Sequence, residues 1–362
     1  MRINQIYFLT LSVFVTMLSF WFNTERNQDM AIHLSVAAQV QGDDPDETFN
    51  KAVKAYENAD FSEAISLFSS VAENEAGDRV KRRDALHYLG RAYVARRNEQ
   101  KAKEALSGMV KLEPPRIELD PDQESPPLMR LYYDVRKTEN GDYGVKHDPG
   151  VTTLAVLDFT NNSIDDHDKL NPLQKGFSSL FINQLNGATS LKVIERERIQ
   201  WLLSELDLQA DENRVDQQTA VRAGKLLGAQ SVLLGSYIKH GKKMVITARL
   251  VKVETGEIIM TEKVTGKAGD FFELADQLSL NVAQSINVDI EQHQLGARTD
   301  TRSLDAMISY SEGLDLLEQE NYPAAYAKFL EALEFDPQYD RAGNKAKSIE
   351  PMLYVAGMAS DG

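Results

Sequence analysis

The stretch Ser231–Gly266 limits the possible folds most, because two tight-turn signals separate three β-rich runs in it. The turns are marked by His240-Gly241 and Thr255-Gly256, where glycine can supply the positive φ of a short hairpin. This arrangement predicts an antiparallel meander of three strands. Alternate residues of the middle strand are apolar, which predicts one buried face made by Met244, Ile246, Ala248 and Leu250.

The segment that precedes the meander, from Val151, predicts the order strand, helix, strand, helix, helix. Short apolar runs at 154–157 and 191–194 are typical of buried strands. Asp216 is placed to cap the third helix and Gly228 to end it. A closing helix follows the meander. Apolar residues at helical spacing mark the first helix, at Leu173, Phe177, Leu180, Phe181 and Leu185.

Four blocks of this region resemble a known family. They are AVLDFTNNS (155–163), KVIERERIQWLLSEL (192–206), TAVRAGKLLGAQSVLLGSY (219–237) and ITARLVKVETGEI (246–258). In this order they resemble the periplasmic domain of the CsgG/HfaB family, which includes the curli-secretion lipoprotein of the bacterial outer membrane. They are also similar to the N-terminal domain of TolB-type proteins. The resemblance implies a globular α/β domain in a cell-envelope setting.

Two features of the sequence differ from the curli pore lipoprotein. That protein carries an acylated cysteine, whereas this chain contains no cysteine. Its pore also needs long inserted hairpins, with strands of about 9–11 residues to cross a bilayer, whereas both turns of the predicted meander are short. We therefore expect the globular domain to be shared and the channel not to be.

The N-terminal sequence predicts that the protein is exported across the inner membrane. Arg2 precedes the apolar run Ile6–Phe22, and a small-residue site, Val36-Ala37-Ala38, lies downstream. We expect residues 1–38 to be a signal peptide or an N-terminal membrane anchor, and the sequence leaves cleavage open. With the resemblance, this predicts the periplasm or cell envelope of a Gram-negative bacterium, with outer-membrane association as one option.

Helical repeats are predicted on both sides of the central domain. A tetratricopeptide-like module with a capping helix is expected at 48–137, followed by a linker at 138–150. The CsgG-like α/β domain is expected at 151–292. A further tetratricopeptide-like repeat is expected at 301–349, with Pro351 ending its last helix.

The second helix pair of the first module is basic, which is unusual in a chain of net charge −15. Grooves of stacked helical repeats commonly bind peptides, so these cations are candidates for docking an acidic peptide. The simpler interpretation, a solvated helix face paired with nearby acids, is favoured. The candidate partner-binding residues are Arg82, Arg83, Arg91, Arg96 and Arg97.

Motifs that carry a catalytic mechanism are missing from the sequence, including GxGxxG, GxxxxGK[ST], HExxH and GxSxG. The cluster Asp165-Asp166-His167-Asp168 lacks the spaced ligands and glycine of a calcium loop, so an exposed acidic loop is predicted. Asp158 and Glu195 each follow a strand, and they would support acid–base chemistry only if they converged. We predict no catalytic, cofactor-binding or metal-binding residue, and no cofactor.

The predicted fold is an α+β central domain, with a mixed sheet, an antiparallel meander and packed helices, and all-α tetratricopeptide-like repeats on both sides. The acidic balance, with a pI near 5.0, argues against nucleic-acid binding. The predicted function is that of a non-catalytic envelope scaffold or assembly factor that binds proteins or peptides, with a homo-oligomer and membrane association by the N-terminal segment both open. The alternatives are an oligomeric curli-type outer-membrane secretion channel component and a periplasmic ligand sensor or hydrolase.

Overall fold

The computed structural model describes residues 45–112, 118–141, 150–186, 188, 190–206, 216–288 and 301–355. The chain forms two compact units, Met1–Pro114 and Pro115–Gly362. The predicted export segment at 1–38 and most of the predicted linker lie outside the described residues. Among the helices in the described ranges, none has both the length and the apolar character required to cross a membrane.

The described part of the first unit is helical, and each helix packs on the next. Asp60, Asp78 and Asn98 begin three of the helices, and each side chain accepts a hydrogen bond from the backbone N–H three residues later. This capping satisfies N–H groups that have no partner within the helix. The helices are α1 (Pro45–Glu57), α2 (Phe61–Glu73), α3 (Arg79–Ala95) and α4 (Glu99–Lys111).

The second unit is built on one mixed sheet with helices packed against it, which confirms the predicted fold class. Its helices are α5 (Pro126–Asn140), α6 (His167–Leu170), α7 (Leu173–Leu185), α8 (Arg196–Glu205), α9 (Gln217–Leu227), α10 (Phe271–Ser285), α11 (Leu304–Glu318), α12 (Tyr322–Phe335) and α13 (Asp340–Val355). Its strands are β1 (Thr152–Val156), β2 (Thr160–Asn161), β3 (Leu191–Ile194), β4 (Ser231–His240), β5 (Lys243–Lys252) and β6 (Ile258–Lys267).

The strand order of the sheet is β3-β1-β4-β5-β6, with the short β2 also paired to β4. The pairs β1–β3 and β1–β4 are parallel, and β4, β5 and β6 form the predicted antiparallel meander. Gly241 and Gly256 stand in the two turns with φ of 59° and 75°, the left-handed region that glycine adopts without strain. The predicted buried face is confirmed, because Met244, Ile246, Ala248 and Leu250 are all fully buried.

Stacked aromatic rings fill the core between this face of the sheet and α7. Phe159 lies 5.1 Å from Phe177 and 5.1 Å from Phe181, measured between ring centroids. Tyr237 joins the cluster from β4 and its hydroxyl donates a hydrogen bond to the Leu170 carbonyl. Because the apolar residues at helical spacing on α7 meet the alternating residues of β5 here, the two sequence periodicities specify one core.

The opposite face of the sheet receives α9 at one end. A Cβ on Gly224 would lie 2.7 Å from methyl groups of Val232 and Val253, so only glycine permits this approach. Asp216 caps α9 through the Thr219 N–H, and Gly228 follows its last residue at φ 72°. Both predicted helix boundaries are therefore confirmed.

Two local predictions differ from the structure. The sequence patterns missed β2 and α6, which are too short to show a period. Pro351 was expected to end the last helix, but α13 continues through it to Val355. Met352 and Leu353 are buried beyond the proline. Their burial offsets the loss of the one backbone hydrogen bond that proline removes. That loss is small, because the carbonyl left without a helical partner belongs to the exposed residue Lys347.

The helix predicted to cap the first module belongs to the second unit. Residues 126–140 form α5, which packs on α8. The Tyr133 and Trp201 rings lie 5.5 Å apart, and Trp201 Nε1 donates a hydrogen bond to Asp134. The boundary between the units lies at Pro114, before the helix and not after it.

Candidate functional site

Asp158, one of the two acids considered for catalysis, is held by four hydrogen bonds at the exit of β1. Arg196 at the start of α8 binds it with two nitrogens, at 3.0 and 3.1 Å. Ser178 Oγ donates at 2.6 Å and Gln200 Nε2 at 3.1 Å. A carboxylate with so many fixed donors, beside a guanidinium that cannot lose its proton, is suited to holding structure together.

The other acid, Glu195, lies in a different environment. It stands directly before α8 and its side chain makes no capping hydrogen bond. Burial raises the pKa of Glu195, and the positive charge of Arg198 only partly opposes that shift. Asp158 and Glu195 thus belong to separate contacts, and the structure does not assemble them into an acid–base pair.

The contact around Asp158 continues into the C-terminal helices, and we call it the first ion-pair network. Arg196 Nη2 also binds Glu318 on α11 at 2.6 Å. Lys175 on α7 binds Glu318 at 2.5 Å and also pairs with Asp315. Burial favours the neutral form of Glu318, but Arg196 and Lys175 outweigh it and lower the pKa. The network joins the exit of β1, α7, α8 and α11.

A second ion-pair network lies one residue further along α8. The Lys345 ammonium, on a side chain only 1% exposed, binds Glu197 at 2.7 Å and the Pro121 carbonyl at 2.8 Å. Asp122 lies 3.7 Å from Lys345 and binds Arg341 at 3.1 Å. Consecutive residues at the start of α8, Arg196 and Glu197, therefore attach α11 and α13 to the sheet domain.

The second network predicts a pH-dependent effect of removing its cation. Burial would raise the pKa of Glu197, but Lys345 and Arg196 reverse this and lower it to about 2 from an ordinary 4.5. A lowered folded-state pKa means that the ion pair stabilises fully above pH 4.5 and is lost as pH falls towards 2. We expect Lys345→Met to cost about 3 kcal/mol of unfolding free energy at neutral pH.

That cost should be smaller at about pH 3, because Glu197 without its cation can be neutralised there. Urea unfolding at the two pH values measures the difference. Lys347→Met, two residues along the same helix and exposed, is the matched control and should change little at either pH. Equal costs of Lys345→Met at both pH values would contradict this role for Glu197.

The acidic cluster forms a tethered loop. Asp165 accepts a hydrogen bond from the Gly241 N–H, and Asp166 pairs with Lys239 at 2.5 Å. The hydrogen bond from Lys239, aided by its charge, lowers the pKa of Asp166. These contacts fasten the loop to the β4–β5 turn. Within the described residues, no group of three or more acidic or histidine side chains is arranged to hold a metal ion.

The predicted partner-binding arginines of the first unit do not form one uniform patch. Arg82 Nε donates to the Ala72 carbonyl at 3.0 Å, and Arg96 donates to Ser62 Oγ at 3.2 Å. These two therefore brace α3 against the two ends of α2. The remaining three are placed otherwise: Arg91 over the Tyr88 ring, Arg83 near Asp84, and Arg97 in the turn before α4 at φ 56°.

The comparisons with known proteins concern the sheet domain. A family model described as the curli production assembly/transport component CsgG matches residues 145–245. That range runs from just before β1 into β5 and covers less than a third of the chain. The match supports the resemblance already stated for this part of the sequence. No curated protein matches the chain by sequence.

Several solved structures are similar to the chain at low identity. The C-terminal domain of LpoB from Escherichia coli is 17% identical, with 34% of this chain and 87% of that chain covered and a TM-score of 0.27. TolB from Acinetobacter baumannii is 13% identical, with 38% and 28% covered and a TM-score of 0.26. A PelC dodecamer from Paraburkholderia phytofirmans is 16% identical, with 40% and 96% covered and a TM-score of 0.24.

Proposed function

We propose that this protein is a non-catalytic scaffold or assembly factor of the bacterial cell envelope, acting through protein contacts. The envelope setting is supported by the CsgG family match over 145–245. The scaffold role is supported above all by the two ion-pair networks. The first network uses Asp158, at the exit of β1, to attach α11 through Arg196, where an enzyme would expose that carboxylate to a substrate. The second attaches α13 through Glu197.

The attached helices have the packing expected of a tetratricopeptide-like repeat, and we propose that they are one. Gly313 lies so close to the Phe329 ring that a Cβ would come within 2.5 Å of it. Ala325 and Ala332 are fully buried beside it, so small residues let α11 and α12 approach closely. Such repeats present surfaces to peptides and proteins.

Fractionation and crosslinking of the tagged full-length chain in its source bacterium test this function. We expect the protein in the envelope fraction, crosslinked to specific partner proteins. In the chain with Arg196→Met we expect a looser attachment of α11 and weaker crosslinks. The matched control is Arg222→Met, at an exposed position, which should leave the crosslinks unchanged. A cytoplasmic location, or an envelope location with no specific partner, would contradict the proposal.

A further inference from the structure

Four cations lie on the sheet face opposite the aromatic core. Register pairs Arg249 with Thr261, Thr247 with Lys263 and Lys243 with Lys267, and opposite residues of antiparallel strands share a face. Arg249, Lys243, Lys263 and Lys267 are all exposed. We call this surface, on β4, β5 and β6, the basic sheet face. Within the described residues none of its four cations has an ion-pair partner.

The basic sheet face contains an unfavourable charge pair. Lys243 and Lys267 stand directly opposite each other on neighbouring strands. Like charges at this spacing are destabilising. The three strands contain one acid, Glu262, which is on the other face, where Asn281 of α10 donates a hydrogen bond to it. No carboxylate of these strands offsets the repulsion between Lys243 and Lys267. A bound anion would offset it.

Apolar side chains lie beside the cations. Leu234, Ile238 and Val245 are half-buried on the same face, in the rows that contain Arg249 and Thr265. The face therefore offers an aliphatic strip along β4 and β5 and a cationic strip towards the edge strand β6. A ligand that fits both strips carries negative charges and aliphatic groups together.

The composition of the face separates the possible anions. Proteins that bind single-stranded nucleic acid stack its bases on aromatic side chains, and interfacial membrane binding uses inserted Trp, Phe or Leu. The outward positions of β4, β5 and β6 contain no aromatic side chain except that of His240 at the end of β4. Their one leucine, Leu234, is half-buried and not free to insert into a membrane. The net charge of −15 also repels long polyanions, whereas a short acidic segment meets only the local cations.

We propose that the basic sheet face binds an acidic, partly aliphatic segment of a partner protein. Carboxylates of that segment lie over Arg249 and Lys263, and its aliphatic side chains lie on the strip along β4. The inference rests on the proposed scaffold function and names the chemistry of one of its partners.

Binding of a short fluorescent peptide that alternates glutamate with valine and leucine tests the proposal. The full-length wild-type chain should bind it, and raising NaCl from about 50 to about 300 mM should weaken binding. Arg249→Glu with Lys263→Glu should weaken it by at least roughly tenfold. Lys54→Glu with Lys347→Glu changes net charge equally at exposed sites elsewhere and should leave binding unchanged. Circular dichroism checks that each variant folds. Arg249→Gln with Lys263→Gln is a milder pair of substitutions, because it removes the two charges without reversing them.

Three outcomes would overturn the proposal. The first is equal binding of the peptide by the charge-reversed and control variants. The other two are binding of phosphatidylglycerol vesicles, or of oligothymidylate, that is tighter than binding of the peptide at matched charge concentration. Crosslinking in cells separates this failure from that of the scaffold function. If wild type and Arg249→Glu with Lys263→Glu capture partners equally, the proposed binding role of the basic sheet face is wrong, and the scaffold function is not affected. Capture of none by the wild type would contradict the scaffold function itself.

Discussion

Replacing Arg196 with methionine is expected to lower the free energy of unfolding of the second unit by about 3–5 kcal/mol. The Arg196 side chain is only 6% exposed and lies between Asp158 and Glu318. Without it, Asp158 keeps its hydrogen bonds from Ser178 and Gln200 but loses its positive charge partner. Methionine retains much of the apolar stem, so most of the loss should come from the uncompensated carboxylates.

Urea unfolding followed by Trp201 fluorescence measures this loss, because Trp201 lies on α8 with Arg196. Arg222→Met on α9 is the matched control, since Arg222 is exposed and makes no ion pair within the described residues. That variant should change stability by less than about 0.5 kcal/mol. A loss from Arg196→Met no larger than that of the control would show that the network contributes little.

A double-mutant cycle assigns part of the effect to the attachment of α11. Glu318→Gln removes the negative charge on α11 that Arg196 binds from the start of α8, at 2.6 Å. If the contact joins α8 to α11, the cost of the double variant should fall short of the summed single costs by about 1 kcal/mol. Additive costs would mean that Arg196 acts through Asp158 alone.

The elements with a clear period or a local signal were predictable from the sequence. Asp216 and Gly228 bound α9 because capping and the left-handed conformation depend on a few neighbouring residues. The meander was predictable because β5 alternates apolar and polar residues between two glycine turns. Local chemistry decides such features, so no knowledge of the tertiary structure is needed.

The ion-pair networks were not predictable in the same way. Arg196 meets Glu318 across 122 residues, and Lys345 meets Glu197 across 148. Such pairs exist only after the chain has folded. One signal was present: Arg196 precedes Ile199 and Leu203 by three and seven residues, on the helix face that those apolar residues bury. A cation on an apolar stripe indicates a buried partner.

The arginines of the first unit show the opposite limit. Their number made them candidates for docking an acidic peptide, although a solvated helix face was the favoured interpretation. Two of them, Arg82 and Arg96, in fact hold α2 and α3 together. Charge density in a sequence does not distinguish a cation that braces neighbouring helices from one that faces solvent. The docking role of the five arginines stays a prediction. It is better tested first at Arg97, which is exposed in the turn before α4.

Replacing Gly235 with alanine is expected to lower the free energy of unfolding. Overpacking usually costs about 1–3 kcal/mol, and we expect a cost near the upper end of that range. A Cβ at Gly235 would lie 2.0 to 2.4 Å from atoms of the Phe159 ring. The ring cannot move aside easily, because it is fully buried and stacked on Phe177 and Phe181. The glycine is thus required by side-chain packing, since its φ is not in the left-handed region.

Gly343 on α13 provides a matched control for this substitution. A Cβ there meets nothing within 4 Å, so Gly343→Ala should stabilise by about 0.5–1 kcal/mol through helix propensity. Combining Gly235→Ala with Phe159→Leu tests the clash directly, because a smaller side chain makes room for the methyl group. The double variant should then lose less than the sum of the two single losses. Strict additivity, or a neutral Gly235→Ala, would show that the sheet shifts freely at this position and that the aromatic core does not fix it.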